Sequence, residues 1–458
     1  MKSPEPFLYE CLSSTFLQSY PRHKLIIFFC VSSRDDPSLP ILEQLLQDHP
    51  GFDARILVED EDPNLSDGRN LGPNPKIRNM SRAYREARGD IIWILDCNVW
   101  VGRDVAGRMV DLLCGFTSPT LSNTSGSVKK YKFVHQLPLV TEMRGALQSA
   151  SSMLTEGGAA LEELFLSTSH AKFYTAINTV AIAPCIIGKS NMFRRSHLNA
   201  LTSDNSSSSQ QGIDHFSSNI CEDHLLAALL WTSPVPSSVL TSSALEGADP
   251  LSKPPTKTAT TATSKSWGNH ALLPPHPSNI AIQPLTHSSL TSYLSRRTRW
   301  LRVRKFTVTA ATLVEPGTES LLCSTYGAYA LTTLPKFRSW GIGETWMSFL
   351  LLWMIMVGAW AVVDYWVWSM LQDWNPAASA DDEDEDEEGR LRRRGKVGKG
   401  RWVMAWLGRE VLAFPIWLWA FWGGVSVVWR GRKFSVGVDM KVTDIGPVEV
   451  EDGKRKEL

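Results

Sequence analysis

Residues 346–368 read WMSFLLLWMIMVGAWAVVDYWVW, with one charge, Asp364, near the end. At about 1.5 Å of rise per residue, a helix of this length crosses the hydrocarbon core of a bilayer, and in lipid its backbone polar groups have no partners outside the helix. The run therefore predicts a membrane-spanning helix rather than a buried helix of a soluble protein. Thirteen of the 18 tryptophans lie between Trp340 and Trp429, and indole rings favour the headgroup boundary. A second apolar block, Trp402–Trp429, carries Arg409 and Glu410 near its start and Pro415 inside. Within it Val411–Val428 is long enough to span or to lie in the interface, and Leu321–Leu334 is apolar enough to dip into that interface. The basic stretches Arg296–Lys305, Arg390–Arg401 and Arg430–Lys433 flank these blocks. By the positive-inside rule they predict that the polar part of the chain faces the cytosol.

The remainder is long enough for two or three domains: the chain has 458 residues. Its 47 Lys+Arg balance 47 Asp+Glu, so it lacks the basic excess of a nucleic-acid binder. A hydrophobic content of 43% excludes a wholly disordered chain. The seven cysteines are scattered, with no C-x-x-C pair, which argues against a zinc ribbon or disulfide scaffold and for a reducing compartment. The N-terminal MKSPEPFLYECLSS has no apolar run that would make a signal peptide or a span.

The first hundred residues alternate strands and helices. Leu25–Val31 (LIIFFCV) reads as a strand buried on both faces, ILEQLLQ as a helix and Ala54–Val58 (ARILV) as a second strand. Pro75–Arg88 reads as a polar helix and Ile91–Leu95 (IIWIL) as a third strand. This rhythm predicts an α/β domain with a mostly parallel sheet, whose ligands bind at the carboxyl ends of the strands. Residues 1–231 form the expected α/β domain, with Ser/Thr-rich surface insertions at 117–127 and 202–218. A low-complexity insertion follows at 232–283, then a basic segment at 284–316. The membrane region is expected over 317–434, with a charged loop at 376–401, and a polar tail over 435–458.

Transfer from a nucleotide-activated donor requires cations to neutralise the departing diphosphate and a base to deprotonate the acceptor. Asp36 follows the first strand and Asp96 ends the third. Asp96 directly follows a buried run, so its carboxylate needs a partner or a ligand. Asp36 before Pro37 is equally an ordinary turn or helix cap. Glu222-Asp223 opens an apolar helix, where carboxylates also simply complement the dipole. Arg296 and Arg299 precede Trp300 in SRRTRWLRVRK, a run that equally suits a membrane-flanking basic patch. His170 lies in TSHAKFY, and a histidine there is more often structural than catalytic.

In chain order these residues resemble the D, D, D, (Q/R)-x-x-R-W pattern of membrane glycosyltransferases of the processive and ceramide type. DDPSLPILEQLL, DARILV and NPKIRNMSRAYREARGDIIWILDCNVWV narrow the likeness to the fungal-type ceramide glucosyltransferases, a GT-A-like family numbered 21 among glycosyltransferases. HQLPLV (135–140), TSHAKFYTAIN (168–178), GKSNMFRR (188–195), VEP (314–316) and WRGRKF (429–434) look like further family segments. The resemblance covers Tyr9–Ala200, Ser218–Trp231 and Pro284–Phe434. It implies inverting transfer of glucose from UDP-glucose to ceramide. By position, Asp36 would contact the uridine part and Asp96 the diphosphate with a magnesium or manganese ion. Asp223 would be the base, Arg296 and Arg299 would neutralise the diphosphate, Trp300 would shape the acceptor site, and His170 would lie at the acceptor pocket. The resemblance also implies Golgi or endoplasmic reticulum membranes; oligomeric state is left open. Family members begin with a spanning helix and a first strand that are not visible at this N-terminus. That departure makes a non-catalytic or truncated relative one alternative, a processive polysaccharide synthase of similar fold is the other, and Asp-Cys-Asn at 96–98, in place of the common D-x-D, leaves metal dependence open.

Overall fold

The computed structural model describes residues 5–66, 71–116, 129–143, 153–203, 210–240, 267–286, 288–372 and 398–448. The expected insertion at 117–127, residues 241–266 of that at 232–283 and the charged loop up to residue 397 lie outside them. The chain divides into two compact units. The first comprises Met1–Pro138 and Tyr174–Pro284, with Pro376–Leu391 outside the described residues; the second comprises Leu139–Phe173, Leu285–Asn375 and Arg392–Leu458. Both expected layers are present, an α/β unit and C-terminal helices long enough to span.

In the first unit, strand Ile26–Val31 pairs in parallel with Asp53–Val58, and helix Leu39–Asp48 connects them. The register sets Ile27 opposite Ala54, Phe29 opposite Ile56 and Val31 opposite Val58. These residues pack with Leu8, Leu12 and Phe16 of helix Leu8–Phe16 and with Leu42 and Leu45. Within the first strand Phe29 and Val31 are fully buried, while Ile26, Phe28 and Cys30 on the alternate positions are half-buried, with helix Pro75–Glu86 also lying against the strand. Burial on both faces therefore holds in part, complete on the Phe29 and Val31 side and partial on the other, since an all-apolar run does not reveal how deeply each alternate position is covered.

A second sheet has the order Ile91–Leu95, Ser190–Arg194, Phe133–His135, Ala271–Leu272. Ser190–Arg194 runs antiparallel to both its neighbours, while Phe133–His135 and Ala271–Leu272 are parallel, so three of the strands point one way. Helix Pro75–Glu86 starts where the sequence requires it. The Asn74 side chain accepts from the backbone N–H of Lys76 (2.8 Å) and Ile77 (3.2 Å), and Pro75 occupies the first turn. Its Ile77 and Tyr84 join Phe133, Phe193, Leu226 and Leu230 in one core. Ile213 and Phe216 belong to that core too. The expected loop at 202–218 is therefore revised: residues 212–216 form a buried 3₁₀ turn, since Ile-Asp-His-Phe supplies the apolar anchors that the surrounding serines lack. Val235, Val239 and Leu240 likewise pack on Trp267.

The second unit is built on helices. Helix Met153–Phe165 continues through a π-helical segment, Leu166–His170, and packs with helix Leu290–Thr307 and helix Lys399–Trp422 around Leu161, Phe165, Tyr293, Leu301 and Ile416. Gly158 permits the close approach, since a Cβ there would lie 2.1 Å from the Ser289 carbonyl oxygen. The Trp346–Gln372 helix has a mean hydropathy of 2.0 and presents Met347, Leu351, Ile355 and Val362 to its surroundings. So large a bare apolar surface suits lipid. The other candidate span, Lys399–Trp422, has a mean hydropathy of 1.2 and begins earlier than the expected Val411.

The charges on these two helices are paired. Asp364, 0% exposed, accepts from Arg409 Nη2 (2.9 Å) and Trp406 Nε1 (2.8 Å) and pairs with Lys172. Arg409 also reaches Glu410 and the hydroxyl of Thr168 in the π-helical segment, and Glu410 accepts from the backbone of Ser320 at 3.0 Å. Beyond Trp422 the chain makes a three-stranded antiparallel sheet, Ser426–Trp429, Arg432–Val436 and Val442–Pro447. The expected polar tail at 435–458 is thus revised over 435–448, where Phe434, Val436 and Val442 provide buried anchors.

Candidate active site

Asp96 follows strand Ile91–Leu95, and its two oxygens are held by two ammoniums, Lys76 Nζ at 2.9 Å and Lys189 Nζ at 3.1 Å. Lys76 also donates to the Gly188 carbonyl (3.0 Å) and lies 3.6 Å from Glu222. Lys189 donates to Asn98 Oδ1 at 3.0 Å. Burial raises the Asp96 carboxyl, but the two lysines outweigh it and hold the pKa down at about 2. The adjacent carboxylates at the start of helix Glu222–Thr232 have different surroundings. Glu222 is buried and accepts from Asn74 Nδ2 at 3.0 Å. Asp223 is partly exposed, lines the cavity beside Lys76 and Gly188, and accepts from the His224 N–H at 2.8 Å. Lys76, Asp96, Lys189, Glu222 and Asp223 thus gather at one end of the sheet.

Asp36 is placed differently. It accepts from the backbone and hydroxyl of Ser38 at 3.0 and 2.6 Å, the turn arrangement that the sequence allowed, and among the described residues it makes no contact with the Asp96 group.

Arg296, Arg299, Trp300 and His170 belong to the second unit. Arg296 and Trp300 lie one turn apart, and the guanidinium is 5.4 Å from the ring. Buried Glu162 holds Arg296 at 3.4 Å. Arg299 has no hydrogen bond or ion pair among the described residues, and burial with the neighbouring Arg296 lowers its pKa to about 10. It stays charged and available to an anion. His170 closes the π-helical segment 5.8 Å from Phe165, which is itself 6.4 Å from Trp300. Burial first, then Arg304 and Arg297, push the His170 pKa down to about 3, so its ring is neutral at physiological pH. The basic run is more than a membrane-flanking patch. Arg302 donates to the carbonyls of Gly423 and Ser426, and Lys305 to those of Phe421 and Gly424, capping the Lys399–Trp422 helix.

The chain matches glycosyl transferase family 21 over residues 1–244 and 277–442. It belongs to that family. A ceramide glucosyltransferase of Pyricularia oryzae is 46% identical over 97% of this chain and 84% of that protein. One of Gibberella zeae is 38% identical over 98% of this chain and 85% of the relative. Among solved structures, the mannosyltransferase PcManGT from Pyrobaculum calidifontis in complex with GDP-Man and Mn2+ is 16% identical with a TM-score of 0.33, covering 78% of this chain and 84% of that one.

For this family 21 glycosyltransferase, sequence reasoning missed Lys76 and Lys189. A signal was present in NPKI: a lysine in the first turn of a helix opposes the dipole, so its charge must be used elsewhere. As for a divalent ion, Asp96 gives one carboxylate, which fits magnesium or manganese sharing its remaining positions with phosphate oxygens and water. Asp96 would have to release a lysine contact to hold it.

A Cβ on Gly188 would meet Lys76 Nζ at 2.8 Å and Asp223 Oδ2 at 3.0 Å. Both are ends of mobile side chains, so Gly188→Ala should fold yet lose about 10- to 100-fold in kcat, measured in detergent-solubilised enzyme. Burial, opposed by Lys76 and reinforced by Asp223, raises the Glu222 pKa from 4.5 to about 7. A raised folded-state pKa contributes stability below about pH 4.5 that is lost as pH rises through about 7. Melting curves should therefore show wild type falling progressively behind Glu222→Gln between about pH 5 and about pH 8; parallel curves would remove Glu222 from this linkage.

Proposed function

We propose that this chain transfers glucose from UDP-glucose to the primary hydroxyl of ceramide, with inversion at the sugar carbon, giving β-glucosylceramide and UDP. The observation that carries the reading is the gathering of Asp96, two lysines and the Glu222-Asp223 pair at one sheet end, in a family 21 chain so similar to ceramide glucosyltransferases.

Asp223 takes the proton of the ceramide hydroxyl. It suits this better than Glu222, whose carboxyl is occupied by Asn74 and Lys76. The freed oxygen lone pair attacks the anomeric carbon, and the electron pair of the breaking bond leaves with UDP. One base suffices for such a single displacement. Lys76, Lys189, Arg296 and Arg299 neutralise the developing diphosphate charge. Asp96 orients the two lysines and would hold a magnesium or manganese ion, which supplies further charge neutralisation when bound. Asp36 contacts the uridine part. Trp300 and the neutral His170 ring shape the acceptor side. An acceptor as apolar as ceramide accounts for the bare apolar surface of Trp346–Gln372, and a cytosol-facing donor site in Golgi or endoplasmic reticulum membranes goes with this reading.

Lipid mass spectrometry of a host devoid of glucosylceramide tests it. Expression of this chain should produce glucosylceramide where empty vector produces none. Its absence, with the protein confirmed in the membrane fraction, would overturn the assignment, and a glucose polymer would transfer the chain to the polysaccharide synthases.

A further inference from the structure

The segment Cys185–Lys189 brings two contacts to the site: the Gly188 carbonyl to Lys76 and the Lys189 ammonium to Asp96. It has no regular secondary structure, so its position must be set from outside. At one end Asn178 clamps Cys185 by two hydrogen bonds, donating to its carbonyl at 2.7 Å and accepting from its N–H at 3.2 Å. At the other end Ser190 Oγ donates to Gln136 Oε1 at 2.5 Å and accepts from Trp93 Nε1 at 2.9 Å. In the middle the backbone of Ile187 lies beside the Tyr174 hydroxyl, and Asn178, which clamps Cys185, also donates to the Tyr174 carbonyl at 2.9 Å.

Tyr174 is itself fixed. Its hydroxyl lies 2.6 Å from His135 Nδ1 and 3.3 Å from the Gln136 carbonyl, and both Tyr174 and His135 are fully buried. His135 Nε2 faces His270 Nδ1 at 3.0 Å, and the His270 ring stacks on Trp231 with centroids 4.2 Å apart. Burial keeps both imidazoles neutral; it holds the His270 pKa at about 4. One proton between the facing nitrogens completes the row. A Phe in place of Tyr174 would bury as well, so the hydroxyl is there for its hydrogen bonds.

We infer that His270, His135 and Tyr174 form a buried row of positioning residues that sets the Ile187–Gly188 turn, and through it the placement of Lys76 and Asp223. The row touches no reacting atom; it acts through the turn whose Gly188 Cα leaves just enough room for the Asp223 and Lys76 side-chain ends. The inference rests on the transfer reaction proposed above.

The test is a double-substitution cycle on the full-length, detergent-solubilised enzyme. Tyr174→Phe keeps the ring and removes the hydroxyl. It should lower kcat by about 10-fold and leave KM for ceramide within about twofold. Amide hydrogen exchange over 185–189 should quicken while the core strands stay protected. If the row acts through Gly188, adding Tyr174→Phe to Gly188→Ala should cost much less than in the wild type, because the turn is already displaced. Fully multiplicative losses, or normal kcat in Tyr174→Phe, would overturn the inference and leave the transferase assignment standing. Faster exchange at every core strand would also overturn it, since the loss would then be one of folding. A wild-type chain making no glucosylceramide would sink the transferase reading itself, a result distinct from the other three.

Discussion

Asp223→Asn is expected to lower glucosylceramide synthesis by about 10³-fold or more while leaving UDP affinity within about threefold of wild type. The amide is nearly isosteric with the carboxylate and can still accept from the His224 N–H, so the start of helix Glu222–Thr232 should persist. What disappears is the capacity to take a proton. The neighbouring Glu222 is a poor substitute, because its carboxyl is turned to Asn74 and Lys76 and burial favours its protonated form. The pH profile gives a second check: residual Asp223→Asn activity should rise with pH, as hydroxide or water replaces the missing base. Undiminished turnover would remove Asp223 from the base role and shift attention to Glu222. Loss of UDP binding along with turnover would instead mean that Asp223 supports the donor site as a whole.

The second large effect concerns folding. Asp364→Ala leaves Arg409 and Lys172 without their shared anion, inside a cluster where Arg409 is 2% exposed and Asp364 0%. Removing one member of a buried pair strands the partner's charge, at a cost of about 3–5 kcal/mol. That is a sizeable part of the stability of an ordinary domain. The solubilised variant should melt well below wild type, with the change concentrated where Asp364, Arg409 and the π-helical segment meet. Asp364→Asn should be nearly as damaging, since an amide can still accept from Trp406 yet carries no charge to balance two cations. A melting temperature unchanged by either substitution would show that the remaining acid, Glu410, balances both cations.

Much of this architecture is written locally. The strand at 91–95 and the helix starting at Pro75 follow from an apolar run and from an Asn-Pro start, both of which act through neighbouring residues. The long span at 346–372 is equally legible, because length and apolarity suffice. Asp96 and Asp223 stood out as carboxylates at a strand end and a helix start, and the fold sets both beside Lys76. Asp36 did not join them, since a carboxylate that caps its own turn has the same local sequence as one that waits for a ligand. Lys76 and Lys189 were harder to see: Lys76 is 112 residues along the chain from Gly188 and Lys189 is 91 from Asn98, and only the folded sheet brings Gly188 and Asp96 to the same ammonium. The division of the chain into units was likewise hidden. Leu139–Phe173 leaves the first unit in mid-sequence, and no change of composition marks the places where it departs and returns.

Arg302 and Lys305 hold the Phe421 carbonyl of the Lys399–Trp422 helix and those of Gly423, Gly424 and Ser426 just past its end, from within the same helix that carries Arg296 and Arg299. Whatever depth the Lys399–Trp422 helix adopts in a bilayer, those two arginines move with it. An amphiphile with its tails in the hydrocarbon carries its hydroxyl at a nearly constant height. The coupling turns the helix end into a depth gauge that carries the arginines to a height fixed relative to the lipid surface. A change in bilayer thickness is thereby felt at R-x-x-R-W.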